Sequence, residues 1–171
     1  MTRGWSGQAL AHGTQSTLLY LLLDLADVRN TEADHAAAHL GKAVGIATLL
    51  RGTHAHSAQR RCYIPNDVCT RHGVSTEDVY RCRSTEELRN AVHEVASVAK
   101  GHLDSARDMS GRLDKSGKAT AAVLLPAVAT GAYLEALEAA DFDVFDPELV
   151  RGQAPLVTQA RIAWAAFNGK W

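Results

Sequence analysis

From Thr17 to Val28 the apolar side chains Leu18, Leu19, Leu21, Leu22, Leu23 and Leu25 follow one another with hardly a polar break. That density predicts a helix buried on most of its surface. Asn30 and Thr31 then supply a helix start, with Glu32 and Asp34 in a first turn where the helix dipole favours negative charge. Beyond them Ala36, Leu40, Ala43, Ala47 and Leu50 recur every three or four residues. They make one stripe of mostly small side chains, which lets a neighbouring helix approach closely. The periodicity lapses from Gly52 to Arg61, predicting a loop, and Tyr63-Ile64-Pro65 leads into a short helix that stops at Gly73.

Two stretches, Ser75-Thr-Glu-Asp78 and Ser84-Thr-Glu-Glu87, place an acid three residues after a capping hydroxyl and so predict two helix starts. The second opens a long helix to about Leu113, with Leu88, Val92, Val95, Ala99, Leu103 and Ala106 opposite Arg89, Glu94, Lys100 and Asp104. A polar turn at Lys115–Lys118 precedes a helix from Ala119 to Leu125, which Pro126 kinks or restarts before Ala127 to Ala139. Asp141–Pro147 reads as a turn anchored by two aromatics, and Ala154 to Phe167 as a final helix carrying an aromatic stripe, Trp164, Phe167 and Trp171. Six or seven helices and no strand predict an all-α bundle in one domain spanning residues 1–171, with 1–14 disordered. The aromatic stripe is read as core packing, with an interfacial anchor as the alternative.

Charge narrows the function. Eighteen basic and 19 acidic side chains leave a net charge of -1, which provides no global field to attract nucleic acid. No run approaches the roughly 20 apolar residues of a spanning helix. The first 15 residues hold Arg3 and Ser6 and no acid, too little arginine to mark a presequence. Three cysteines, Cys62, Cys69 and Cys82, are an odd number outside any secreted framework and are read as free thiols.

Imidazole and thiolate are zinc ligands, so His54, His56, Cys62, Cys69 and His72 are candidates for a metal cluster. No Cys-x-x-Cys occurs, and ordinary thiols and solvated imidazoles are the preferred reading. His35 and His39 share a helix face one turn apart but lack the intervening Glu of a hydrolytic site, so they are assigned to a helix contact. Lys42, Arg51, Arg60, Arg61 and Tyr63 are candidates for a basic mouth that binds a diphosphate or a lipid headgroup, because guanidinium holds phosphate without a metal.

The run Gly41-Lys-Ala-Val-Gly-Ile-Ala-Thr-Leu-Leu-Arg51, with Arg61-Cys-Tyr-Ile-Pro65 and His72-Gly-Val74 after it, resembles the second signature of squalene and phytoene synthases. In that family a helix carries Gln and Asn, then Arg-Asp, two residues, Glu-Asp and, after a gap, Gly-Arg-x-Tyr-x-Pro; Arg51, Arg61, Tyr63 and Pro65 fall on the pattern. The departures lie at the ligands. Gly45 and Thr48 stand at the Gln and Asn positions, Gly52 at the Asp, and Ala55 and His56 at the Glu-Asp pair. Mg²⁺ needs oxygen ligands to bridge a departing diphosphate, which Gly and Ala lack, and His is a poor substitute. A pseudo-enzyme with no catalytic residue, no metal and no cofactor is expected.

Thr14–Leu21, Ala33–Lys42, His72–Asp78 and Asp141–Pro147 are similar, in order, to a branch of this superfamily that assists assembly of mitochondrial complex I. The resemblance implies an isoprenoid-synthase-type helical bundle on the matrix side of the inner membrane, associated peripherally with it. Its partner would be an early membrane-arm subunit or assembly intermediate of complex I. An isoprenoid lipid is a further candidate ligand, and the alternative is a prenyltransferase or lipid-binding module with degenerate metal motifs. A form without a presequence would stay cytoplasmic. The match runs over the C-terminal half of the family fold, so the other aspartate motif lies outside it; Asp24 and Asp27 do not replace it. The chain is therefore expected to be an isoform, fragment or incomplete gene model, less stable than a full-length form. Apolar stripes between Thr17 and Arg51 and between Ser84 and Leu113 are expected to face water.

Overall fold

The structure, a computed structural model, describes residues 12–109, 117–152, 155–168 and 171. Every regular element among them is helical. A π-helical turn, His12–Ser16, runs into α1, Thr17–Leu25. Part of the stretch expected to be disordered, residues 12–14, thus belongs to a helical turn; residues 1–11 lie outside the described residues. The next element, α2, Thr31–Arg51, begins where Asn30 turns its Oδ1 to the Glu32 N–H at 2.8 Å. Three short helices follow: α3, Thr53–Ser57; α4, Asn66–His72; and α5, Thr76–Tyr80. The long α6, Glu86–Asp108, is followed by α7, Gly117–Val123, α8, Pro126–Ala139, α9, Pro147–Arg151, and α10, Pro155–Asn168.

The centre of the bundle is the seam between α2 and α6. Ala33, Ala36, Ala37, Leu40, Ala43 and Ile46 of α2 are buried against a core that includes Leu88, Ala91, Val92, Ala99 and Leu103 of α6. Small side chains on both helices bring the backbones together, as the sequence stripe predicts. His39 meets His102, and Ile46 shares a small cleft with Val95, so the two helices run antiparallel. The stripes of α2 and α6 therefore do not face water as expected. They cover one another, and α8 closes over both.

Gly41 is required where the π turn crosses α2. A Cβ there would stand 2.3 Å from Ser16 Oγ and 2.5 Å from Ser16 Cα. Ser16 is fully buried and its hydroxyl donates to the Ala38 carbonyl at 3.3 Å.

Four readings of the sequence are corrected. The Gly52–Arg61 loop contains the helix α3, held by Thr53 Oγ1 on the Leu49 carbonyl and Ser57 Oγ on the Thr53 carbonyl. The second capping start shifts by one residue: Thr85 accepts from the Leu88 N–H, and the helix begins at Glu86. The Asp141–Pro147 turn opens a further helix, because Asp146 accepts from the Glu148 and Leu149 N–H groups.

The fourth correction concerns the two apolar surface helices. α1 buries Leu19 and Leu23 and leaves Leu18, Leu21, Leu22 and Leu25 exposed, because α2, α7 and the π turn cover one side of it. On α10, Trp164 is 72% and Phe167 87% exposed, so the aromatic stripe is not core packing; Trp171 alone of the three packs partly against the core. The polar turn at Lys115–Lys118 lies mostly outside the described residues, and α7 starts within it at Gly117. No described helix is long and apolar enough to cross a membrane.

Candidate functional site

The end of α2 carries the degenerate signature. Gly45 is buried in the seam, while Thr48 and Arg51 point outward one turn apart. At Gly52 a Cβ would meet the His56 ring, whose Cε1 lies 2.6 Å from its position. The imidazole thus occupies the space a side chain at this position would need. It sits edge-on to Tyr63 with ring centroids 4.6 Å apart, and its buried Nδ1 has no hydrogen-bond partner. Ala55, on the exposed side of α3, supplies no ligand atom.

The donors offered by these five positions are one exposed hydroxyl and one imidazole. They do not fit the oxygen cage that Mg²⁺ demands, and filling the Gly52 space with a ring obstructs an acid there.

Beside this motif a cleft of about 640 Å³ opens between the end of α2 and the helices α8, α9 and α10. Arg51, Ala132, Tyr133, Ala136, Leu149 and Arg151 are among the residues that line it. The Tyr133 hydroxyl is buried there without a hydrogen-bond partner. Burial pushes its ionisation up, opposed by the Arg51 charge, so the phenol stays a neutral donor. Among the described residues no carboxylate pairs with Arg51 within salt-bridge distance. The Asp146 and Glu148 carboxylates and Arg151 share this lining, so the cleft joins a rim of mixed charge to an alanine wall, and Arg51 and the Tyr133 phenol are the groups in it that would meet an anionic head.

The structure does not gather the basic side chains expected to form one mouth. Arg51 lines the cleft. Lys42 lies nine residues earlier on α2, roughly 13 Å along the axis, where its charge acts on His39 and His102. Arg60 sits at a positive-φ turn, pairs with Glu77 at 3.0 Å and covers the Tyr80 ring. Arg61 is exposed, and Tyr63, also exposed, stands edge-on to the His56 ring instead. Arg60 follows a nearby carboxylate and ring, which sequence order does not reveal.

The candidate zinc ligands do not converge either. His54 meets Phe145, His72 pairs with Glu94 at 2.8 Å, and Cys69 is buried. Among the described residues no three His, Cys, Asp or Glu side chains converge on a metal position. His39 does line a helix contact: its Nδ1 lies 3.2 Å from Nδ1 of His102, a partner that nothing in the sequence pairs with it. His35 stays exposed.

A family model described as squalene/phytoene synthase matches residues 8–160. The chain belongs to the squalene/phytoene synthase family. Its fold is that of the family: squalene synthase HpnC from Alicyclobacillus acidocaldarius superposes with a TM-score of 0.71 at 15% identity, over 80% of this chain and 51% of that one. Among relatives, the rat protein named NADH dehydrogenase (ubiquinone) complex I, assembly factor 6 is 42% identical over 83% of this chain and 42% of its own length. The human protein of that name is 40% identical over 81% and 41%, and the Drosophila melanogaster homolog 45% over 92% and 46%. The chain thus spans less than half the length of these curated relatives.

Proposed function

We propose that this squalene/phytoene synthase family member is a non-catalytic factor in the assembly of mitochondrial respiratory complex I, assisting biogenesis of an early membrane-arm subunit. The observation that carries the proposal is the signature end of α2. Gly52 has no ligand atom, and the ring of His56 fills the space beside it. A diphosphate leaving group whose charge no cation neutralises stays bound to carbon, so ionisation of a prenyl diphosphate is not supported at this site. The names of relatives sharing 40–45% identity support the assembly role.

On this reading the protein acts on the matrix side of the inner membrane. Exposed leucines on α1 and exposed Trp164 and Phe167 on α10 support a peripheral contact with the bilayer or with a membrane-arm subunit. The test is expression of the full chain in mitochondria of cells lacking their own assembly factor 6. Restored complex I on native gels is the expected result. Turnover of farnesyl or geranylgeranyl diphosphate by the purified chain with Mg²⁺ would overturn the non-catalytic assignment.

A second reading is favoured by the cleft: a module that binds a prenyl diphosphate or another anionic lipid without converting it. Of the residues expected for this, Arg51 lines the cleft beside Tyr133, and that shared lining supports the reading. Geranylgeranyl diphosphate in the presence of EDTA is expected to raise the melting temperature of the protein, and Arg51→Gln to remove that rise. No shift at millimolar ligand would refute it.

A further inference from the structure

The edge of the α2–α6 seam carries two imidazoles, one from each helix. His39 and His102 are both half-buried, and their Nδ1 atoms stand 3.2 Å apart. The ring centroids are 5.2 Å apart and the planes are tilted by 58°, so the rings are not stacked and each turns a nitrogen to the other. The core fixes both. Leu40 and Ala43 beside His39, and Ala99, Leu103 and Ala106 beside His102, are fully buried, so neither helix is free to rotate and part the rings.

A neutral imidazole has one protonated nitrogen and one lone-pair nitrogen. With one Nδ1 protonated, the contact is a hydrogen bond; with both protons on Nε2, two lone pairs face each other across the seam. Zn²⁺ binds imidazole nitrogen at about 2.0–2.1 Å, and two such bonds at the tetrahedral angle hold their nitrogens about 3.3 Å apart. The observed 3.2 Å falls inside the tolerance of about 0.2 Å expected of such ligands.

We propose that His39 and His102 form a two-histidine site for an imidazole-preferring divalent transition cation, which bridges α2 to α6 through Nδ1 of each ring. Water completes the coordination, since the pair is partly open to solvent. Burial, the largest cause, holds both imidazoles below the ordinary histidine value, so at pH 7 they are neutral, the form that binds a metal. The charged neighbours set the strength. Lys42, one turn after His39, opposes a cation, and Asp104, two residues beyond His102, is held by Lys100 at 2.7 Å. Two neutral ligands beside a lysine make an exchangeable site, selected by nitrogen chemistry rather than by charge. Mg²⁺, which requires oxygen ligands, does not suit it. His35, one turn before His39, is exposed, and His39 turns Nδ1 to α6 rather than along α2.

The experiment titrates the full chain, treated with EDTA and desalted, with Zn²⁺ by calorimetry at pH 7 and follows its melting temperature. One Zn²⁺ per chain and a rise in melting temperature that EDTA reverses are expected; Mg²⁺ is expected to give neither. His39→Gln and His102→Gln are each expected to weaken binding roughly tenfold or more, since losing a ligand costs at least as much as losing its supporting hydrogen bond. Lys42→Gln is expected to tighten binding several-fold by removing a like charge, and His35→Gln to leave it nearly unchanged. Binding that survives His102→Gln but not His35→Gln would place the cation on α2 alone and overturn the proposal. So would binding that neither His39→Gln nor His102→Gln weakens, or no saturable binding at submillimolar Zn²⁺. Should these variants fail to fold by circular dichroism, nitrogen NMR of the wild-type histidines decides: Zn²⁺ is expected to move two Nδ1 resonances, and movement at Nε2 alone would overturn the site.

Discussion

The α2–α6 seam and the outward faces of α1 and α10 all carry apolar side chains yet meet opposite environments. In the seam, alanine and glycine on one helix let leucine and valine of the other seat deeply, and Leu40, Ile46, Leu88, Val92 and Leu103 lose nearly all contact with water. On α1 the spacing 18, 21, 22 and 25 makes an equally regular stripe, and it is exposed; Leu25 reaches 83%. Hydrophobic periodicity thus declares that a face seeks a partner, while the presence of a partner is a property of the assembled bundle. Ion pairs tie the periphery to this centre: Arg89 to Asp141, Arg161 to Glu135, and Arg71 and His72 to Glu94. Most are exposed and contribute little individually.

Substitutions should separate the two regions sharply. Leu103→Ala, at a fully buried position of α6, is expected to cost about 2–5 kcal/mol in denaturant unfolding, because the close-packed seam collapses poorly around a cavity. Gly41→Ala is expected to cost about 1–3 kcal/mol, since the new methyl meets the Ser16 backbone as well as its short hydroxyl side chain. A loss below about 0.5 kcal/mol for either would show that the seam is not the centre of stability.

A smaller effect is expected from acid. Burial, then Lys42, then the neighbouring imidazole lower His102, and burial, Lys42 and His35 lower His39, so protons bind the unfolded chain more readily than the folded one. The contribution of the pair is fully present above the ordinary histidine value of about 6.5 and is lost as pH falls below it through the depressed folded values. His39→Gln combined with His102→Gln should flatten the decline in melting temperature between pH 7 and pH 5; an unchanged slope would remove the pair as its cause. Glu94, held low by His72 and Arg71, adds a decline of the same sign at lower pH.

The smallest thermodynamic effect belongs to the exposed faces. Leu21→Gln and Phe167→Gln are each expected to change stability by no more than about 0.5 kcal/mol while reducing self-association seen by light scattering. A loss comparable to that of Leu103→Ala would mean that these side chains are buried in solution.

Much of the fold was legible because it is set locally. Asn30 caps α2, Pro126 opens α8, and Gly73, at φ 73°, ends α4 as only a residue without a Cβ readily does. The small-residue stripe of α2 and the amphipathic pattern of α6 marked the two helices that form the core. Short elements escaped: α3 and α9 span five residues each, too few to show a period, and depend on hydroxyl back-bonds and on Asp146. The degenerate signature was readable residue by residue, since missing oxygen ligands are a matter of composition. The cleft was not, because Arg51 and Tyr133 stand 82 positions apart and meet only when α8 packs beside α2.

Sequence alone determined the helical class, the principal caps and the loss of acidic ligands, all consequences of side-chain chemistry within a few residues. The tertiary structure decided which apolar stripes found partners, that Arg60 was drawn away by Glu77, and which distant groups became neighbours. His39 with His102, His56 in the Gly52 space and Arg51 beside Tyr133 each depend on distance in space, which chain order leaves open until the helices have packed.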